Sequence, residues 1–544
     1  MENHFSKLAK IRFSLESNIF ANIFGNAVLT VASIIFVPIY LRYIGVEGYG
    51  LISFFAAFQA ILTIFDLGLS LTLTREIALH DGVEEKEQEV RNLARTLEII
   101  YWGIAISLGI LSILMVPALT NWVNPQQLSA STIQSCFFIM SFALILQFPI
   151  TFYLGGLIGL QKQLLSGIIT IIFTIFRYFG ALAVLHFVSS EPQAFFIWQA
   201  LSAGLQVLTL GICLWRALPK GVGAAKFQKN LLNENWKFIT GTGGIGIIST
   251  LLMQVDKIVL VRILSLDTFG YYSIASLVAT SLYRGIYPIF QAYFPKFLQL
   301  VGKNETELLI KTYHQGCQMM AVIILPTAMM FVFFSKEIIF LWQQNEEIAN
   351  QTYVLVSLLT IGYGLNSLIF IPYALQLANG WTQLYLSGLI IVFVFTIPVT
   401  IFLALNFGAV GASTVWIIFN TLFIFLLIPI MHRRLLPDQK WKWYWEDLIK
   451  PLLAALLVAV LSRYLFVESE SSVVVFIQLV VAFSLILVTA CFSAIFSGKS
   501  VLPNSRFFSL IVWRKSRFSI SSIIFSAIFS GSWVQNKQFS PSTK

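Results

Sequence analysis

Apolar stretches long enough to cross a bilayer, parted by short polar interruptions, fill nearly all of this 544-residue chain. At about 20 residues per helical crossing, the pattern predicts fourteen spans. They fall near 17–40, 51–73, 97–120, 132–160, 164–187, 192–216, 238–263, 270–295, 313–335, 350–377, 384–406, 409–431, 449–467 and 472–497. The first is too long, and lacks the small-residue cleavage site, to be a removable signal peptide. The longest interior interruptions are 74–96, 217–237 and 432–448, and no extramembrane domain fits. The expected fold class is an all-α polytopic membrane protein with about 14 transmembrane helices. Beyond the last span, a basic tail carries a Ser-interrupted apolar run at 518–533. It is shorter than a span and reads as an interfacial helix or disorder.

An internal repeat divides the array. LRYIGVEGYGLIS at 41–53 meets VRILSLDTFGYYS at 261–273, which keeps an Arg, an acid five residues later, an aromatic-Gly pair and a Ser. QLLSG at 163–167 meets QLYLSG at 383–388 at nearly the same offset. Six spans separate the copies, an even number, so the halves share orientation about an axis along the membrane normal. The expected organisation is an N-terminal lobe 1–216, a basic linker 217–237, a C-terminal lobe 238–431, two extra helices within 432–497 and a basic tail 498–544. A central site between the two six-helix lobes is expected.

Polar residues inside the spans point to such a site. In span 2, Gln59, Thr63, Asp66, Ser70 and Thr74 recur every three or four residues, which on one continuous helix confines them to a sector of about 80°. Span 8 carries Ser276, Thr280, Tyr283, Arg284, Tyr287 and Gln291, and span 1 carries Asn18, Asn22, Asn26, Thr30 and Ser33. Lipid would not satisfy such stripes. Hydrogen bonding between helices without a cavity is the alternative. Arg177 falls near the middle of span 5 and Arg284 near the middle of span 8, while Asp256 and Lys257 lie in span 7. A cation at the bilayer centre costs about 2.5–3.5 kcal/mol on insertion scales. Each is therefore read either as half of an ion pair or as a ligand for an anion. Arginine's planar fork matches two phosphate oxygens at once, which makes Arg284 the leading phosphate ligand. Span 7 opens with GTGGIG at 241–246. No strand or βαβ unit surrounds it, so Gly243, Gly244 and Gly246 read as a hinge, not as a dinucleotide loop.

Charge agrees with the spans. With the N-terminus inside, 28 of the 35 Lys and Arg fall in cytoplasmic segments, 4 outside and 3 within spans, the positive-inside bias of a multi-pass protein. The composition, 57% hydrophobic and 11% charged, has too little polar surface for a soluble globule of this size. The net charge of +10 lies in short loops beside spans, where lipid headgroups explain it better than nucleic acid. Cys136, Cys213, Cys317 and Cys491 read as small core residues, and the five histidines, His4, His80, His186, His314 and His432, as scattered. No HExxH pair, nucleophile elbow or P-loop is present, so neither an enzyme nor a metal or other cofactor is expected.

The patterns NIFANIFGNA at 18–27, VPIYLRYIGVEGYGLIS at 37–53, FDLGLS at 65–70 and REIA at 75–78 give the chain a family likeness. It resembles polysaccharide transporters, the Wzx-type flippases, of the multidrug/oligosaccharidyl-lipid/polysaccharide exporter superfamily. The resemblance implies two six-helix lobes forming a V, with helices 1, 2, 7 and 8 around a cationic cavity and helices 13 and 14 outside it. It also implies passage of an isoprenoid-diphosphate-linked oligosaccharide from the inner to the outer leaflet of a bacterial inner membrane, for cell-surface polysaccharide biosynthesis. Carried onto this chain, the cationic cavity would use Arg284, Lys257 and Arg177.

In the expected mechanism these cations hold the diphosphate while the sugars stack on tyrosines such as Tyr283 and Tyr287. The polar lining would be Asn22, Asn26, Gln59, Thr63, Asp66, Thr280, Tyr283, Tyr287 and Gln291. The lobes then rock to open outward, driven by membrane potential or by ion exchange, with Asp66 and Asp256 as candidates for coupling. Expected partners are the lipid-linked oligosaccharide, membrane lipids and other polysaccharide-assembly proteins, with no nucleic acid and both termini cytoplasmic. Two rivals stand: a multidrug or cation antiporter of the same superfamily, which would favour carboxylates in its cavity, and a membrane glycan polymerase or ligase, which would need a large exterior loop.

Overall fold

The computed structural model describes the backbone of residues 2–80, 84–219, 223–231 and 244–495. It describes side chains for 32–80, 85–219, 223–231 and 247–494, without 284 and 285. Lys220, Lys237, Gly243, the tail 498–544 and the side chains of Asn22, Asn26 and Arg284 lie outside the described residues. Every regular element among the described residues is helical. Large apolar side chains stand exposed along many of the helices, as lipid-facing surface requires: Ile168, Ile172 and Phe179 on one, Ile391, Phe395 and Phe402 on another. The chain is a multi-pass membrane protein.

Two compact units divide it, one of residues 1–254 with 265–267, the other of 255–264 with 268–544. In the first, α1 (Glu2–Leu62) is broken at Gly45, whose φ of 70° and ψ of 178° lie in a region that only glycine occupies at low cost. α2 (Leu69–Leu79), α3 (Glu87–Leu114), α4 (Val116–Trp122), α5 (Ala130–Gly159), α6 (Gln163–Phe187) and α7 (Pro192–Ala217) follow. Leu73, Ile77, Leu93, Leu97, Phe152, Leu157, Leu210 and Leu214 knit α2, α3, α5 and α7 into one core. Close approach of α2 to α5 depends on Gly159, where a Cβ would sit 2.7 Å from the Thr74 carbonyl oxygen.

The linker after α7 is stapled back onto α3. Gln88, Asn92 and Thr96, one turn apart, accept from the backbone N–H groups of Gly223, Lys226 and Gln228, each at 2.9 Å. Arg91 donates to the Pro219 carbonyl.

The second unit begins in α8 (Gly244–Ile263) and continues through α9 (Leu266–Thr280), α10 (Leu282–Gly302), α11 (Thr306–Phe333), α12 (Ser335–Gln343), α13 (Glu346–Leu368) and α14 (Phe370–Ala378). α15 (Gln383–Leu422) breaks at Gly408, between two expected spans, and passes through a π-turn into α16 (Ile428–Leu435). α17 (Lys450–Tyr464) and α18 (Ser472–Ile495) pack against α11 and α12, with Ala455, Ala459, Ala482 and Ala490 at the seam. Small residues there let the backbones approach and gain dispersion energy in lipid.

Nine segments among the described residues are long and apolar enough to cross a membrane. Two of them, Ala32–Asp66 and Gln383–Leu435, each reach into two of the expected spans. The helices at expected spans 7, 8 and 13 do not qualify. α8, α9 and α10 are interrupted and carry polar residues, and α17 has only 15 residues.

Candidate functional site

In the first unit, Gln59, Thr63 and Asp66 sit where a helix gives way. α1 ends at Leu62, Thr63–Asp66 forms one 3-10 turn, and Leu67 (φ 49°) and Gly68 (φ 84°) are left-handed before α2 resumes. This corrects the single stripe expected along span 2: two left-handed residues reset the helical phase, so the residues on either side do not share one sector. Asp66 bridges the break, its Oδ1 accepting from the Ser70 N–H at 3.1 Å and its Oδ2 from the Ser70 hydroxyl at 2.8 Å. The Tyr101 phenol interacts with the same carboxylate. Thr63 donates to the Ala60 carbonyl at 2.6 Å, and Gln59 is half-buried. Arg177 is half-buried on α6, where the Trp198 indole donates to its carbonyl. Its guanidinium has no hydrogen-bond or ion-pair partner among the described residues.

In the second unit, Asp256 is buried in α8, accepting from the Tyr272 hydroxyl at 2.6 Å and from the Lys257 backbone N–H at 2.8 Å. Tyr363, hydrogen-bonded with Ser276, lies within electrostatic reach of the same carboxylate. Span 8 is interrupted as span 2 is, here at Ser281 between α9 and α10. Thr280 donates to the Ser276 carbonyl. Tyr283 is engaged inside the unit, donating to Asn366 at 2.8 Å and resting edge-on against Tyr363, while Asn366 donates onward to Asn420 at 2.7 Å. Tyr287 is 56% exposed, and Gln291 one turn on is exposed as well. Arg284 occupies the first turn of α10 in the backbone. Gly244 and Gly246 lie in the first described turn of α8.

α10 is therefore an amphipathic helix. Leu282, Ile286, Ile289, Phe297 and Leu300 are buried, while Tyr287, Gln291, Lys296 and Gln299 stand exposed, with Leu298 the large aliphatic residue among them. The exposed sides of α6 and α15 carry Ile, Val, Leu and Phe instead.

Sequence reasoning missed three polar clusters. Glu47, the acid of the repeated turn, is buried and accepts from three successive backbone N–H groups, Gln126 (2.5 Å), Gln127 (3.0 Å) and Leu128 (2.7 Å), ahead of α5. The persistence of an acid in both copies of the turn was the available signal. Glu98 is buried on α3 and satisfied by Tyr153 (2.7 Å), Trp215 (2.9 Å) and Arg95 (2.7 Å). In the second unit the histidines are not scattered as expected. His314 Nδ1 lies 2.5 Å from Asp447, which also accepts from Gln318, and Tyr313 next to it meets His432 Nε2 at 3.0 Å. Burial pushes the Asp447 carboxyl above the ordinary carboxylate range, opposed by His314 and Gln318. No spacing announces a cluster whose members lie more than a hundred residues apart. Among the described residues no group of three His, Cys, Asp or Glu is placed to hold a metal ion.

Residues 15–301 match the family described as polysaccharide biosynthesis protein. A protein of Shigella flexneri named for O-antigen transport is 22% identical over 425 residues, 74% of this chain and 94% of that one. Among solved structures, the lipid II flippase MurJ in an inward closed conformation superposes with a TM-score of 0.63 at 14% identity, over 87% of this chain and 98% of that one. An inward-facing multidrug resistance MATE transporter of the MOP superfamily superposes at 0.59 and 14% identity, over 75% and 94%. At these identities the structures establish the fold, and the sequence match establishes the lineage. The chain belongs to the polysaccharide biosynthesis protein family, and its fold is the one shared by the MurJ and MATE structures.

Proposed function

We propose that this protein moves a lipid-linked, isoprenoid-diphosphate oligosaccharide from the inner to the outer leaflet of a bacterial inner membrane by alternating access. The observation that carries this reading is the exposed polar face of α10. Where α10 lies within the bilayer, as the position of expected span 8 requires, such a face turns to water or to a polar ligand, since hydrocarbon satisfies none of its groups. Tyr287 and Gln291 on that face offer a ring for sugar stacking and an amide for hydroxyl recognition. The diphosphate falls to Arg284, with Lys257 and Arg177 as further cations. Arg177 supports this through a guanidinium that no described acid neutralises. Asp66 and Asp256 are the candidates for ion coupling, and Gly243, Gly244 and Gly246 for the hinge. The lobes 1–216 and 238–431, the linker 217–237, the pair of helices within 432–497 and the cytoplasmic termini belong to the same proposal. So do partners in polysaccharide assembly.

The MATE-like fold keeps one alternative in view, drug or cation antiport. Deleting the gene distinguishes the two. Loss of a flippase leaves lipid-linked repeat units on the inner leaflet, whereas loss of a drug antiporter leaves glycan export intact and raises drug sensitivity. Normal outer-leaflet delivery in the deletion strain would overturn the proposal.

A further inference from the structure

Residues 433–450 join an apolar segment ending at Leu435 to the helix that begins at Lys450. The chain between them forms a short turn, Lys440–Lys442, that runs into a π-helical stretch, Trp443–Ile449. One side of this stretch is locked inward. Trp443 is fully buried, and Tyr444 donates to the Ile424 carbonyl at 2.7 Å. Asp447 pairs with His314 and Gln318. Gln439, just ahead of the turn, meets His314 Nε2 at 3.0 Å.

The opposite side is held out. Trp441 is 74% exposed and Trp445 is 54% exposed, four residues apart and so on one helical face, with Lys442 exposed between them. Cations crowd the same surface. Lys440 Nζ stands 4.8 Å from the centre of the Trp441 ring, Arg434 stacks 4.3 Å over Trp381, and Arg433 is exposed. The acids of the segment are Asp438, which is exposed, Glu446, which is half-buried, and Asp447, which faces inward.

A soluble protein rarely leaves two indoles in water, and here a membrane-length apolar segment that ends at Leu435 holds the stretch close to the bilayer surface. Indole rings favour the headgroup region, where the ring is half solvated by hydrocarbon and its N–H by water and esters. The lysines and arginines beside them match the phosphate of an anionic lipid. We propose that the exposed face of residues 433–450 is a docking surface for anionic phospholipid headgroups of the adjoining leaflet. The buried His314–Asp447 network is what presents it as a fixed ledge.

The test uses the full chain with Trp441→Cys, in a background where Cys213 and Cys491 are alanine, labelled with bimane and placed in nanodiscs. Trp441 is exposed, so its replacement leaves the packing intact; a second series with Trp445→Cys repeats the measurement. Headgroup-proximal nitroxide on phosphatidylglycerol should quench the label more than the same nitroxide on phosphatidylcholine at equal fraction. Lys440→Gln with Lys442→Gln should erase that preference, by up to about fivefold per lysine in local enrichment, while quenching by nitroxide phosphatidylcholine persists. Equal quenching by the two lipids would overturn the anionic assignment. Stronger quenching by aqueous iodide would place the face in water, and protection from both quenchers would show a protein partner on it; either result overturns the proposal.

Discussion

The turn at 41–53 and its copy at 261–273 begin from one pattern and arrive at two solutions. In the first copy the break falls on Gly45 in a glycine-only conformation, and the buried Glu47 clamps three backbone N–H groups. In the second the break falls at the equivalent position, Ser265, between α8 and α9, without a left-handed residue. The helices that follow diverge in the same way. Span 2 is parted by two left-handed residues and tied by Asp66 to Ser70, whereas span 8 is parted at Ser281 with helical dihedrals. Position 64 is Ile where position 284 is Arg. The duplicated scaffold kept the first bend, at 45 and 265, whereas the breaks that follow fall at different positions and carry different charges, Asp66 beside one and Arg284 beside the other.

The largest effect should come from that charge difference. Arg284→Ala should lower glycan export about a hundredfold, the loss of roughly 3 kcal/mol of charge-assisted hydrogen bonding, and Arg284→Lys should recover little because a point charge replaces a fork. Ile64→Ala at the equivalent position should leave export within about threefold. Export is read by complementation at matched protein level, and full function of the alanine variant at 284 would remove the cation from the mechanism.

Glu47→Ala should lower stability by about 2–3 kcal/mol, since three N–H groups lose a charged acceptor. Asp267→Ala, at the equivalent acid in the first turn of α9, is the matched comparison. Thermal unfolding midpoints in detergent compare the two, and equal losses would show that both copies use their acid as the same clamp.

Gly45→Ala should cost about 1–3 kcal/mol through its backbone conformation, and Ser265→Ala under about 1 kcal/mol. The same midpoints decide the matter. A tolerant Gly45→Ala would mean that the first turn relaxes toward the second.

The smallest stability change is expected from Asp66→Asn. Asp66→Ala should lose about 1 kcal/mol with its hydrogen bonds to Ser70, while Asp66→Asn, which still accepts a hydrogen bond, should stay within about 0.5 kcal/mol of the parent. If Asp66 couples ions, Asp66→Asn should also flatten the dependence of transport on the ion gradient. An unchanged gradient dependence would leave it as a cap alone.

The order of apolar stretches was enough to determine an all-helical membrane chain, because a bilayer demands internally satisfied backbone over about 20 residues at a time. The offset between 41–53 and 261–273 made the duplication visible, and the breaks at Gly45, Ser265 and Gly408 fall between the expected spans. What the stripes along spans 2 and 8 faced was not legible in the same way. A period of 3.6 has meaning only while the helix is continuous, and Leu67, Gly68 and Ser281 interrupt it. Tyr283 and Tyr287 have the same composition and lie one turn apart, yet one donates to Asn366 inside the unit and the other stands exposed. His314, His432 and Asp447 come together only because α11, α16 and the stretch before α17 pack side by side. Local sequence determines which segments leave water. Which polar side chains then meet depends on contacts between residues far apart along the chain, and only the packed helices decide those.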